Sequence, residues 1–174
     1  MRNVDDLIAL VNKSPITFIA SPHGEKWSDE FLLNFNYLKI DNLNSSFCFK
    51  EFVRNVKIEN LLENRSQPNF FLIDIDDMPF DGESLGDQWR QITLILTKLE
   101  DGIYESGKNF PNNPEFRILI TCSTYDSIRE DNHYVSGNKA LYMSDLAIVF
   151  HQHVAKVVKS RFVKNGENLL YSMK

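Results

Sequence analysis

Ser21, His23, Gly24 and Lys26 fall in one short segment, Ser21-Pro22-His23-Gly24-Glu25-Lys26-Trp27-Ser28. An apolar, β-branched run from Ile16 to Ala20 precedes it, and a stretch with helical spacing follows from about Trp27. A buried strand, a loop with a lysine and a helix N-terminus together make an anion site. Backbone N–H groups and the helix dipole favour negative charge there, and the lysine adds a cation. The chemistry to expect is phosphate binding. A working loop of this kind reads G-x-x-x-x-G-K-[ST]. In that register Ala20 takes the place of the first Gly, Glu25 of the second and Trp27 of the hydroxyl residue. Glu25 sets a carboxylate where backbone must approach phosphate, and Trp27 removes the hydroxyl that would hold Mg²⁺. The expectation is a kept scaffold with damaged nucleotide chemistry.

Three further groups could act on the same ligand. Asp74 closes the continuous apolar run Phe70-Phe71-Leu72-Ile73, with Asp76 and Asp77 just beyond. A carboxylate at the carboxyl end of a buried parallel strand can hold Mg²⁺ through water; equally, an acidic residue there can mark the turn into solvent. Glu51 follows Phe47-Cys48-Phe49, which reads as a short strand, and by itself reads as an exposed residue favourable at a helix N-terminus. Lys159 and Arg161 alternate along Lys156 to Phe162, which by itself reads as a solvated edge strand guarded by cations. His151 and His153 share one face of an extended segment, but with no carboxylate or Cys nearby to complete a ligand set a solvated turn is expected.

The elements that must position these residues alternate. Val4–Val11 reads as a short amphipathic helix, Ile16–Ala20 as a strand and Trp27–Leu38 as a helix. Glu51–Leu62 and Asp87–Tyr104 read as helices around the strand Phe70–Asp74. Strands follow at Phe116–Cys122 and Leu146–Phe150, then Ala155–Phe162 and Asn168–Met173 about a turn at Lys164-Asn165-Gly166. Glu105–Pro114 and Thr124–Lys139 read as polar loops. The expected fold is a single α/β domain over 1–174: a three-layer sandwich with a mainly parallel central sheet, ending in a C-terminal β-hairpin.

Composition narrows the function. The net charge of −5 over 174 residues gives no global basic field for nucleic acid. The loop Tyr125–Lys139 sets Arg129, His133 and Lys139 against Asp126, Glu130 and Asp131, with no cationic excess for phosphates. Cys48 and Cys122 lie in apolar runs and read as buried free thiols of a reducing compartment. No apolar run nears the length of a membrane span, and the acidic opening Asp5-Asp6 does not suit a signal peptide, so a cytoplasmic setting with no membrane partner is expected.

The order of these features resembles a RecA-like ATPase core. The chain is similar to the RecA and RadA recombinases and, in pattern, nearest to the motor domain of DnaB-type replicative helicases. The resemblance covers most of the chain at low identity. It implies a vestigial nucleotide site of Ser21, His23, Gly24, Lys26 and Asp74, the last on the Walker B strand. It implies that Glu51 takes the place of the catalytic Glu, at the separation from Lys26 that the family shows, and that Thr121 and Ser123 sense the γ-phosphate. The segment Gly137–Phe150 is similar to the one that returns from the DNA-binding loop into a core strand. Lys159 and Arg161 then match the Lys-x-Arg pair that reaches a neighbouring subunit's nucleotide as an arginine finger, so Glu51, Lys159 and Arg161 are catalytic residues that are vestigial or act in trans.

Two functions compete. The first is a catalytically degenerate RecA-like domain that binds a RecA-like ATPase or helicase, or itself, in DNA replication, recombination or repair. It needs no cofactor and touches nucleic acid weakly or indirectly. The second is a divergent DNA-dependent ATPase that uses ATP and Mg²⁺, with Ser28 standing in for the lost hydroxyl.

Overall fold

In the computed structural model the described residues are 1–22, 26–41, 43–44, 46–78, 85–106, 116–124, 138–162 and 169–174. Their strands are β1 (Arg2–Asn3), β2 (Ile16–Pro22), β3 (Tyr37–Lys39), β4 (Phe70–Asp74), β5 (Arg117–Thr124), β6 (Leu146–His151), β7 (Val154–Ser160) and β8 (Leu169–Ser172). Helices α1 (Val4–Lys13), α2 (Lys26–Leu32), α3 (Phe49–Leu62), α4 (Leu85–Ser106) and α5 (Asn138–Met143) connect them, with a one-turn 3-10 helix at Ile75–Asp77.

All eight strands join one sheet in the order β1-β8-β7-β6-β2-β5-β4-β3. The five strands from β6 to β3 run parallel. Parallel strands covered on both faces need apolar side chains in both directions, which is why Ile16-Thr17-Phe18-Ile19-Ala20 is buried without a break. Phe18, Phe71, Ile73, Ile118 and Ile120 pack toward α3, α4 and α5. Their chain neighbours Ile19, Phe70, Leu72 and Leu119 pack on the other face with α1 and α2. Two apolar layers thus sandwich the sheet, as the alternating pattern predicts. β6, β7 and β8 form an antiparallel meander, and β7–β8 is the expected hairpin, its turn lying outside the described residues. No helix among the described residues is long and apolar enough to cross a membrane.

Three expectations fail locally. Phe47-Cys48-Phe49 is not a strand. Phe49 opens α3, because Phe49, Val53 and Val56 recur at helical spacing and bury one face. The strand beyond β4 is instead Tyr37–Lys39, whose first two residues the sequence pattern assigns to the end of the preceding helix. That helix stops at Leu32: Leu33, Asn34 and Phe35 each donate to the carbonyl three residues back, and Asn34 Nδ2 donates to Phe31 O at 2.8 Å. Cys48 is exposed at the start of α3, whereas Cys122 is buried as expected.

Candidate functional site

β2 is followed by α2 on one face of the sheet, and its neighbour β5 leads to α5 on the other. Adjacent parallel strands whose connections leave on opposite faces open a crevice at their carboxyl ends, the usual place for ligands in such sheets. A cleft of about 280 Å³ lies there. Ser21 of β2, Ser28 and Asp29 of α2, Asp74 of β4, Asp76 of the 3-10 turn, and Thr121 and Ser123 of β5 supply its polar wall. Ile19, Leu32 and Leu72 form the apolar part, and Tyr37 and Lys39 approach from β3.

The hydrogen bonds in the cleft join its own walls to one another. Ser28, almost fully buried, donates its hydroxyl to Ser21 Oγ at 3.0 Å, tying the first turns of α2 to the end of β2. Asp74 Oδ1 accepts from Asp76 N at 3.0 Å and so starts the 3-10 turn. Asp76 Oδ2 accepts from Ser123 N at 3.0 Å and from Ser123 Oγ at 2.6 Å. Lys39 pairs with Asp77 across the ends of β3 and β4.

Charge in the described cleft is negative. Burial is the main cause that holds the Asp74 carboxyl above its ordinary value, and the charges of Asp76 and Asp77 push the same way. The hydrogen bond to Asp77 raises Lys39 above the ordinary lysine value, so this cation is committed to a carboxylate of its own chain. Burial also pushes the Cys122 thiol up, with Asp76 and Asp74 adding to it, which favours the thiol over the nucleophilic thiolate.

No protein-family model matches the chain, and no curated protein matches it.

The sequence-derived residues divide between the two ends of the sheet. Ser21 and Asp74 share the cleft with Thr121, Ser123, Asp76 and Ser28. Lys26 is the first residue of α2 at the edge of this region, and His23 and Gly24 lie outside the described residues. Glu51 does not ride on a strand. It sits in the first turn of α3, exposed and 3.9 Å from Arg54, and its helix packs on the face of the sheet opposite α2. It is not among the described residues that line the cleft.

Lys159 and Arg161 stand at the amino end of β6, the pole away from the cleft. A bulge opposite Ala147 and Ile148 leaves Val158 without a partner and turns Lys159 toward α5. Lys159 Nζ donates to Leu141 O and Tyr142 O, both at 2.9 Å, which satisfies orphan carbonyls at the end of α5. Burial lowers its pKa, and Asp145 and Glu100 oppose that. Arg161 Nη1 donates to Asp145 Oδ1 at 2.9 Å, while Asp145 Oδ2 accepts from Ile16 N at 3.1 Å. Both cations therefore have partners within their own chain.

Sequence reasoning missed Lys39, Tyr37 and Asp29. The reading of Trp27–Leu38 as one helix hides Tyr37 and leaves Lys39 just past its end, off any strand. The signal that could have found them is Asn34-Phe35-Asn36, a turn-prone stretch, ahead of the β-favouring Tyr37-Leu38-Lys39-Ile40.

Proposed function

We propose that the chain is a catalytically degenerate RecA-like domain that works by binding. It is an accessory or regulatory protein of DNA replication, recombination or repair, docking on a RecA-like ATPase or helicase or on a second copy of itself. One observation carries this reading. The ends of β2 and β4 and the first turns of α2 frame one cleft, where a phosphate loop and a metal-holding Asp would meet. Yet Asp29, Asp74 and Asp76 line it, and Lys39 is paired with Asp77. Two like charges about 4 Å apart repel by roughly 4 kcal/mol at an effective dielectric of 20. A polyphosphate facing these carboxylates loses several decades of affinity, and Glu25 in the loop adds a further negative charge. Nucleic-acid contact is weak or indirect in this reading, in keeping with the net charge of −5.

A second reading, a divergent ATPase using ATP and Mg²⁺, is favoured by Ser28. Its hydroxyl lies in the same cleft as Asp74, one residue beyond Trp27. Among the described residues no three His, Cys, Asp or Glu side chains converge on a metal position. The ion would rest on Ser28, Asp74 and the nucleotide's own phosphates.

The double variant Glu25→Gly, Trp27→Thr separates the two readings. A degenerate site predicts no ATP turnover by the wild type with or without DNA, and none by the variant, which keeps Asp29, Asp74 and Asp76 in the cleft. Turnover by the wild type that the variant loses would support the enzyme and defeat the binding reading.

A further inference from the structure

Ser123, next to last in β5, aims two donors at one point. Its backbone N–H and its hydroxyl both reach Asp76 Oδ2, at 3.0 and 2.6 Å. An N–H and an O–H that converge on a single oxygen form the kind of donor pair that holds a phosphate or carboxylate oxygen of a ligand. Here the oxygen comes from the chain itself. Asp76 stands in the one-turn helix after β4, and that turn is braced at both ends: Asp74 Oδ1 accepts from Asp76 N at 3.0 Å, and Asp77 pairs with Lys39 of β3. Ser123 is in register with Ser21 of β2, so the pair lies where the two strand ends open the cleft.

We propose that Asp76 is a built-in occupant of an oxyanion position centred on Ser123. It excludes phosphate groups from the cleft by taking both donors and by fixing a negative charge at that point. The inference rests on the reading of the cleft as a degenerate nucleotide site and names the residue that keeps it closed. The ligand class shut out is a phosphate group, either the free ion or the terminal phosphate of a nucleotide. Asp76 is thereby the specificity determinant of the Ser123 position, and its removal frees both donors for an anion.

Calorimetric titration of the full chain with inorganic phosphate, and separately with a non-hydrolysable ATP analogue plus Mg²⁺, tests this. The wild type gives no saturable heat up to millimolar ligand. Asp76→Ala gives saturable binding at least tenfold tighter than that limit, and adding Ser123→Ala abolishes it. Asp76→Asn is nearly isosteric, keeps an acceptor for Ser123 and drops the charge, so it holds the fold if the alanine variant does not; it shows a smaller gain. Binding of free phosphate assigns the position to the ion, whereas binding of the analogue alone assigns it to a nucleotide's terminal phosphate. A folded Asp76→Asn protein as silent as the wild type, or a gain that survives Ser123→Ala, overturns the proposal. Wild-type binding of the analogue that is lost on Lys26→Ala would instead overturn the degenerate-site reading on which it rests.

Discussion

Asp74 shows how a strand that is easy to read in the sequence delivers a residue into an uncomfortable place. Phe70-Phe71-Leu72-Ile73 must be buried, so the residue that follows arrives at the sheet's end with its carboxyl half-buried. Its pKa is raised in the fold, chiefly by burial, which means that the folded state holds the proton more tightly than the unfolded one. Stability from this group is therefore present below the unfolded value of 3.8 and is lost as pH rises through the higher folded value. Asp74→Asn removes the penalty while keeping an acceptor for Asp76 N. The variant is expected to be more stable than the wild type in urea denaturation at neutral pH and equal to it below the unfolded pKa. Equal stability at neutral pH, or a gap that widens in acid, would contradict this account. At the same scale, Ser21 and Asp74 were legible because each ends an apolar run, whereas Thr121 and Ser123 were named only through the resemblance. Lys39 and the Ser28–Ser21 bond were not legible: the first depends on which strands lie side by side, the second on how α2 sits against the end of β2.

Among the elements, long apolar periodicity carried the information and short segments did not. Phe70–Asp74, Leu146–His151 and the helix ending at Ser106 lie where their patterns predict. Phe47-Cys48-Phe49 misled because three apolar residues fit a strand or a first helical turn equally well; packing decides. Phe49 meets Phe116 at 5.2 Å and Phe71 at 6.1 Å between ring centroids, contacts that a helix on the sheet supplies. The same packing explains Gly102 in α4. A Cβ there would lie 3.0 Å from Phe49 Cβ, and Phe49, held between two rings in the core, has little room to give. Alanine gains about 1 kcal/mol of helix propensity over glycine, whereas overpacking a filled core costs about 1–3 kcal/mol. Gly102→Ala is expected to lower stability by about 1 kcal/mol, read as a drop in the urea midpoint at unchanged slope. A stabilised variant would show that α3 and α4 can separate freely.

At the scale of the whole molecule, the sheet sets two chemistries at opposite poles. The carboxyl ends of β2, β4 and β5 frame the acidic cleft, while Lys159 and Arg161 lie at the amino end of β6. Within one protomer these cations do not meet the cleft, so any role for them at a nucleotide requires a second subunit and the breaking of the Arg161–Asp145 pair. The alternation of apolar runs made the α/β sandwich and its parallel centre legible. Strand order was not legible, because local pattern carries no record of which strand crosses to the far edge. Whether the cleft takes nucleotide is decided by calorimetric titration of the wild-type chain with Mg²⁺ and a non-hydrolysable ATP analogue. No saturable heat up to millimolar analogue is the predicted result; micromolar binding lost on Lys26→Ala would contradict it.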